Sequence, residues 1–390
     1  MALDNQQLTM DGIHGMVPRD RMSESARKLR DAYAIVPGAP IFHKEFGFYC
    51  ADRWHAEGLD READIAEVFG YDSTADYDLG KLGWCEAEFC PAFEEITLES
   101  SDDHEIIQDA AGRKLKVFKG RRSGFMPAYM DHPVKDMASW EELCKWRLNP
   151  ETPERWADFD TRISKAKEVA AEGQMIFQGI IGGYMYLRSL FGPEEIMYAF
   201  HDMPEVIHAC METWLELCDT VTSRHQRHLT FDALFFAEDI CYNHGLLCSP
   251  DHMKEFLIPY YQQLIRNIRL RQIDQDRHLY IQVDTDGNAL PAITIYQEEI
   301  GMDAMLPFEV ASGCDVVEIG RQFPQLFMSG GMDKRVMAES KEAIDRMVER
   351  IIPTMRERGG YIPTCDHGVP EEVSLENYLH YRRRCLELGG

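Results

Sequence analysis

Leu279-Tyr280-Ile281-Gln282-Val283-Asp284 is a short apolar run that ends on a carboxylate and passes at once into Thr285-Asp286-Gly287-Asn288. A run of this length, with β-branched residues inside and a turn signal after it, predicts a buried strand with an acid at its C-terminal end. The same pattern recurs on either side. Upstream are Ile41-Phe42-His43 with Glu45, then Met175-Ile176-Phe177-Gln178-Gly179, then Leu234-Phe235-Phe236-Ala237-Glu238-Asp239. Downstream are Met305-Leu306-Pro307-Phe308-Glu309, Leu326-Phe327-Met328-Ser329-Gly330-Gly331, and Tyr361-Ile362-Pro363-Thr364 leading into Cys365-Asp366-His367. Seven such runs predict parallel strands whose C-terminal ends converge on one face. In a (β/α)8 TIM barrel that face carries the active site.

The segments between them support this α/β reading. Helical patterns fit Asp136–Arg147, Pro153–Ala171, Pro193–His201, Pro204–His228, Pro250–Gln272, Leu290–Ile300, Lys334–Glu357 and Leu375–Leu388. Several open with proline, whose missing N–H costs nothing in a first helical turn. Strands alternating with helices of this length imply βαβ units. Residues 1–38 are polar, with one amphipathic segment around Ser23–Tyr33, and read as an N-terminal extension; the barrel is expected over 39–390. Residues 51–80 have a helical, acidic texture. Residues 84–122 differ again: Lys114-Leu115-Lys116-Val117-Phe118-Lys119 alternates strictly, with Gly112 before it, which predicts a small β-hairpin inserted in the barrel.

Composition narrows the partners. A formal charge of −26 over 390 residues argues against nucleic acid or an anionic membrane as partner. No run of roughly 18 apolar residues is present, so no membrane span is expected. The eleven cysteines are scattered without a paired framework, which fits a reducing cytoplasm.

Each candidate site residue has two readings. Glu238 and Asp239 close a very apolar strand, where an unpaired buried acid would cost several kcal/mol; they serve as metal ligand or general acid/base, or they meet a barrel Lys or Arg. Asp284 and Asp286, two apart before Gly287, can converge on a metal, or Asp286 can cap the turn before the helix at Leu290. A calcium hand is disfavoured, because the glycine comes too early and no Glu closes the loop. Glu309 is again an acid at a strand end. His367 beside Asp366 can bind a metal with a carboxylate fixing its tautomer, or be a hydrogen-bonded loop residue. An oxygen-rich set with one nitrogen (Glu238, Asp284, Glu309, His367) suits zinc with mixed ligands, or manganese or magnesium. Phe46, Phe48, Tyr184 and Tyr186 can flank a flat substrate or serve as packing. Gly182-Gly183 with Arg188 can shape a pocket wall. Dinucleotide, phosphate-loop and serine-elbow motifs are absent.

At these residues the chain resembles the uroporphyrinogen decarboxylase superfamily, and within it the corrinoid-dependent methyltransferases. The resemblance runs through Trp54-His55-Ala56-Glu57-Gly58-Leu59, Trp146-Arg147-Leu148-Asn149-Pro150, Phe236-Ala237-Glu238-Asp239-Ile240 and Val283-Asp284-Thr285-Asp286-Gly287. It continues in Leu306-Pro307-Phe308-Glu309, Gly330-Gly331-Met332-Asp333-Lys334 and Asp366-His367-Gly368-Val369-Pro370. Two departures matter. The decarboxylases open with an Arg-rich segment for the porphyrinogen carboxylates, whereas Ile41-Phe42-His43-Lys44-Glu45-Phe46-Gly47 stands here, and an acid-lined pocket repels a polycarboxylate. Thiol-methylating members carry a His-x-Cys pair and a later Cys on zinc, whereas the matching positions here are Asp284, Asp286 and His367.

The resemblance therefore implies a methyltransferase that moves a methyl group from a small methylated donor, an O-methyl ether such as a methoxylated aromatic, to the cobalt of a corrinoid (cobalamin) on a separate protein. It further implies a possible homodimer. Asp239, Asp366 and Glu45 are the expected proton-transfer groups, and a lyase or decarboxylase acting on a non-porphyrin carboxylate is the alternative.

Overall fold

A computed structural model describes residues 17–119 and 127–390. Seven parallel strands form one curled sheet with helices packed around it, an α/β fold of the TIM-barrel type. In chain order the strands are β1 Asp76–Asp78, β6 Met175–Ile181, β7 Ala233–Ala237, β10 Tyr280–Asp284, β11 Ala304–Leu306, β12 Phe327–Ser329 and β13 Tyr361–Ile362, each beside the next. Six of them are apolar runs read from the sequence. The register Gly179–Phe235–Gln282–Ala304 and Ile181–Ala237–Asp284–Leu306 sets which side chains share a level.

The first strand is the exception. Ile41-Phe42-His43 is buried but forms no strand. Its backbone is instead tied at His43, whose N–H donates to the Asp72 carboxylate at 2.7 Å and whose carbonyl accepts from the Asp72 N–H at 2.9 Å. Phe42 enters an apolar cluster with Ala75 and Ile362, at the two edges of the sheet. The edge strand is Asp76-Tyr77-Asp78, paired to Met175–Phe177. Its two acids hide it from a search for apolar runs; the Gly179 N–H, donated to Asp78 at 2.7 Å, helps hold it in place.

The end of the barrel away from the strand tips is closed by the N-terminal segment. Ser23 caps the helix Glu24–Tyr33, accepting from the Ala26 N–H at 3.1 Å. Tyr33 stacks on Phe327 at 4.3 Å and meets Phe177 and Tyr280, while its hydroxyl donates to Gln282. These partners come from β6, β10 and β12, which are not neighbours. Only side chains that face the barrel interior converge in this way, so Phe177, Tyr280 and Gln282 define the inner face, with Phe235 at the level of Gln282 and Asp284 above them.

The expected hairpin is present and larger. β3 His104–Gln108 and β4 Lys114–Phe118 pair across a turn at Gly112 (φ 76°), β2 Ile96–Ser100 and β5 Ala128–Asp131 add a strand on each side, and after β7 a short ribbon pairs β8 Cys241–Tyr242 with β9 Gly245–Leu246. The helices after β10 and β13 fall at Leu290–Ile300 and Leu375–Gly389. The long helix read at Lys334–Glu357 is two, Lys334–Glu339 and Lys341–Arg358, because Ser340 caps the second on the Ala343 N–H. Helix Gly183–Phe191 starts without a side-chain cap, whereas Val316–Gln322 is capped by Asp315, which accepts from the Val317 and Glu318 N–H groups; neither is among the helices read from the sequence. No described helix is long and apolar enough to cross a membrane.

Candidate active site

The acids at the strand ends divide into three groups, according to what their oxygens touch.

Glu238 is buried (1% exposed) and turned away from the barrel mouth. It lies against Gly182, where any Cβ would overlap its carboxylate. Tyr261 donates its hydroxyl to Glu238 at 2.6 Å, and the Tyr184 N–H donates at 3.2 Å. The same Tyr261 hydroxyl accepts from the Gly183 N–H, so Gly182-Gly183 serves close packing of a helix start onto this carboxylate. Burial pushes the Glu238 carboxyl up to about 7, against the lowering effect of these hydrogen bonds.

Glu309, Asp366 and Glu45 pin loops. Glu309 accepts from the Gly287 N–H at 2.9 Å and faces Lys334 Nζ at 3.3 Å. Asp366 accepts from the N–H groups of Val310 (3.0 Å) and Lys334 (3.1 Å), with Lys334 Nζ at 3.8 Å. Glu45 accepts from the Cys365 N–H at 2.8 Å and the Tyr378 hydroxyl at 2.6 Å. Each carboxylate fastens one loop to another, which leaves it poorly placed to meet a ligand. Lys334 neutralises two of them, Glu309 and Asp366.

Asp239, Asp284 and Asp286 face the mouth. Asp239 adopts φ +45° and is held by Arg188, while its N–H and that of Glu238 both donate to the Asp284 carbonyl at 3.0 Å. Phe308, at the end of β11, also has positive φ (58°). Such backbone costs about 1–3 kcal/mol per residue, and it falls here at two strand ends that meet the site. Gly330 follows from the same crowding: at φ +120° it passes so close to the Pro307 carbonyl that a Cβ would overlap it. Asp284 is half-buried on the inner face of the barrel, at the C-terminal end of β10. Burial, then Asp286 and Asp239, push its carboxyl well above the usual range. Asp286 lies 3.6 Å from His367 Nε2, and burial raises its carboxyl to about 6 despite that histidine.

The four expected metal ligands are not brought together. Glu238 is sealed among tyrosines, and Glu309 is committed to Gly287 and Lys334. Among the described residues no three His, Cys, Asp or Glu side chains form a metal-binding group. The donor set thus does not fit zinc.

The aromatic expectations divide too. Tyr184 and Tyr186 are core residues; the Tyr186 hydroxyl donates to the Cys210 carbonyl at 3.2 Å. Phe48 packs with Trp54, Phe69 and Tyr378. Phe46 is at the rim, 5.2 Å from the His367 ring, and Tyr49 stacks on that ring at 5.9 Å. Trp84 was missed: it is half-exposed and lies parallel to Phe235, 5.1 Å away at 12°.

With this geometry in place, comparison with known proteins is direct. The family model described as "Uroporphyrinogen decarboxylase (URO-D)" matches residues 108–385, well over half of the chain. The chain belongs to the URO-D family. Uroporphyrinogen decarboxylases of Geobacter metallireducens and Geobacter sulfurreducens are 26% and 25% identical over 266 residues, covering 67% of this chain and 73% of theirs. Among solved structures, a methyltransferase from Methanosarcina mazei superposes with a TM-score of 0.58 at 12% identity, covering 93% of this chain and 98% of that one. At that identity the likeness is one of fold. It places this URO-D family enzyme on a barrel frame that also supports methyl transfer.

Proposed function

We propose that this chain transfers a methyl group from a small O-methyl ether to the cobalt of a corrinoid held by a separate protein. The observation that carries the reading is Asp284: a half-buried acid at the C-terminal mouth of the barrel, with its carboxyl raised toward the protonated form. An ether oxygen leaves poorly unless its developing charge is neutralised, and a carboxylic acid kept neutral can do that. Reduced cobalt supplies the nucleophile when the partner is bound.

The chain's own residues supply the rest. Asp284 holds a proton toward the ether oxygen. As the O–CH3 bond breaks, its electron pair stays on oxygen, and the Asp284 proton converts the leaving group to a hydroxyl. Asp286 with His367, at the rim, returns a proton from solvent to Asp284. Arg188 pairs with Asp239 and fixes it beside them. The fold of a methyltransferase in the Methanosarcina structure supports the reading.

A decarboxylase reading draws support from the two Geobacter relatives. Against it, the basic groups around the mouth are matched to acids: Arg188 to Asp239, Lys334 to Glu309, His367 to Asp286. A carboxylate substrate would have to displace one of these. The test is incubation with cobalamin reduced to Co(I) and 1,2-dimethoxybenzene. Methylcobalt absorbance together with 2-methoxyphenol is expected; carbon dioxide release from a carboxylate, without cobalamin and with no ether turned over, would overturn it.

A further inference from the structure

Trp84 arrives on the loop that follows β1, in Leu82-Gly83-Trp84-Cys85. Gly83 has φ +77°, and a Cβ there would overlap the Glu86 carbonyl, so the loop turns sharply and delivers Trp84 inward. One face of the indole covers Phe235, whose register partners are Gly179 and Gln282 on the inner face of the barrel. Yet Trp84 stays 48% exposed, so its other face is open. Asp284 lies two residues beyond Gln282 on the same inner face, one level above Phe235, so the indole and the proposed proton donor line the same side of the barrel. Asp78 also belongs to this wall, since its carboxylate occupies the space beside Gly179 that a side chain would fill. Among the described residues neither Asp78 nor Asp284 is in an ion pair, while Arg188, Lys334 and His367 are each engaged.

Building on the methyl-transfer reading, we propose that the substrate is an uncharged aryl methyl ether laid flat on the open face of Trp84, and that aryl ethers bearing a carboxylate are turned away. The stacked indole offers a ring-sized apolar platform. The unmatched Asp78 carboxylate sets a negative charge beside the platform, which repels an anion. A neutral ring escapes that repulsion and places its methoxy oxygen near Asp284. Trp84 is thereby a specificity-determining residue, and Asp78 an electrostatic filter.

Calorimetric titration of the full chain, without cobalamin, tests the slot apart from the reaction. The ligands are 1,2-dimethoxybenzene and 3,4-dimethoxybenzoate. The first should bind best, with the benzoate weaker by about 100-fold. Trp84→Ala should weaken dimethoxybenzene about 10-fold, and Trp84→Phe should restore most of it. Asp78→Asn should narrow the gap between the neutral ring and the benzoate, an effect that a merely structural role for Asp78 would not produce. Melting curves of the variants show that each is folded. Equal binding of the benzoate, no binding of dimethoxybenzene, or indifference of folded Trp84→Ala would each overturn the proposal. The expected binding pattern without methyl transfer would remove the reaction and leave the slot.

Discussion

Glu238→Gln separates the cost of a buried charge from the value of its hydrogen bonds. The native carboxyl is raised from 4.5 to about 7, chiefly by burial. Below pH 4.5 both folded and unfolded chains carry this proton, and no penalty exists. As pH rises, the unfolded chain loses it first. Above about pH 7 both are ionised, and the native state bears the full penalty, about 3 kcal/mol. Stability from this group is therefore present in acid and lost on the way to alkaline pH. Gln cannot ionise, so that slope vanishes in the variant. The amide has a cost of its own. If its oxygen accepts from Tyr261, its NH2 faces the Tyr184 N–H and that bond is lost, at about 1–2 kcal/mol at every pH. The variant should thus be less stable than the natural chain at pH 5 and more stable at pH 9. Urea unfolding at pH 5, 7 and 9 measures both curves, and their difference isolates the one carboxyl from all others. Parallel curves would refute the reasoning, since they would mean that Glu238 ionises in the native state as freely as in water.

Gly330→Ala should fail to accumulate as folded protein, or lose more than about 3 kcal/mol, because its Cβ meets the Pro307 carbonyl in a backbone region that L-residues avoid; normal yield with an unchanged urea midpoint would contradict this. Lys334→Met should cost about 2 kcal/mol at pH 7, between an exposed and a fully buried pair, since Asp366 and Glu309 lose their shared cation. The loss should shrink in acid as Asp366, whose carboxyl burial raises, takes a proton, which the same urea titration reads; a pH-independent loss would mean that packing, not charge, was removed.

Much of the barrel was legible because a buried parallel strand is a nearly pure apolar run. Six runs reported themselves in this way, each with its acid or Gly-Gly turn at the correct end. The edge strand was not legible: Asp76-Tyr77-Asp78 is polar because one carboxylate accepts a backbone N–H of β6 and both sit where the sheet ends. Ile41-Phe42-His43 shows the converse, an apolar run used to fill the barrel without hydrogen-bonding as a strand. At the site, the sequence names the acids without their directions. Glu238 and Asp239 are adjacent, yet one faces a tyrosine cage and the other the mouth, a difference that the positive φ of Asp239 creates. Glu309 and Asp366 look catalytic by position and are loop fasteners by contact. Lys334 and Trp84 had no pattern to announce them, because their importance lies in partners far off in sequence: Glu309 and Asp366 for one, Phe235 for the other.

The central claim is that Asp284 delivers the proton that lets an ether oxygen leave. Its most direct test is the rate of methylcobalt formation from 1,2-dimethoxybenzene and Co(I) cobalamin, in the natural chain and in Asp284→Asn. The account predicts a kcat lower by about 100-fold or more in the variant, with dimethoxybenzene binding little changed, the range of a lost general acid. A variant that forms methylcobalt as fast as the natural chain would contradict it.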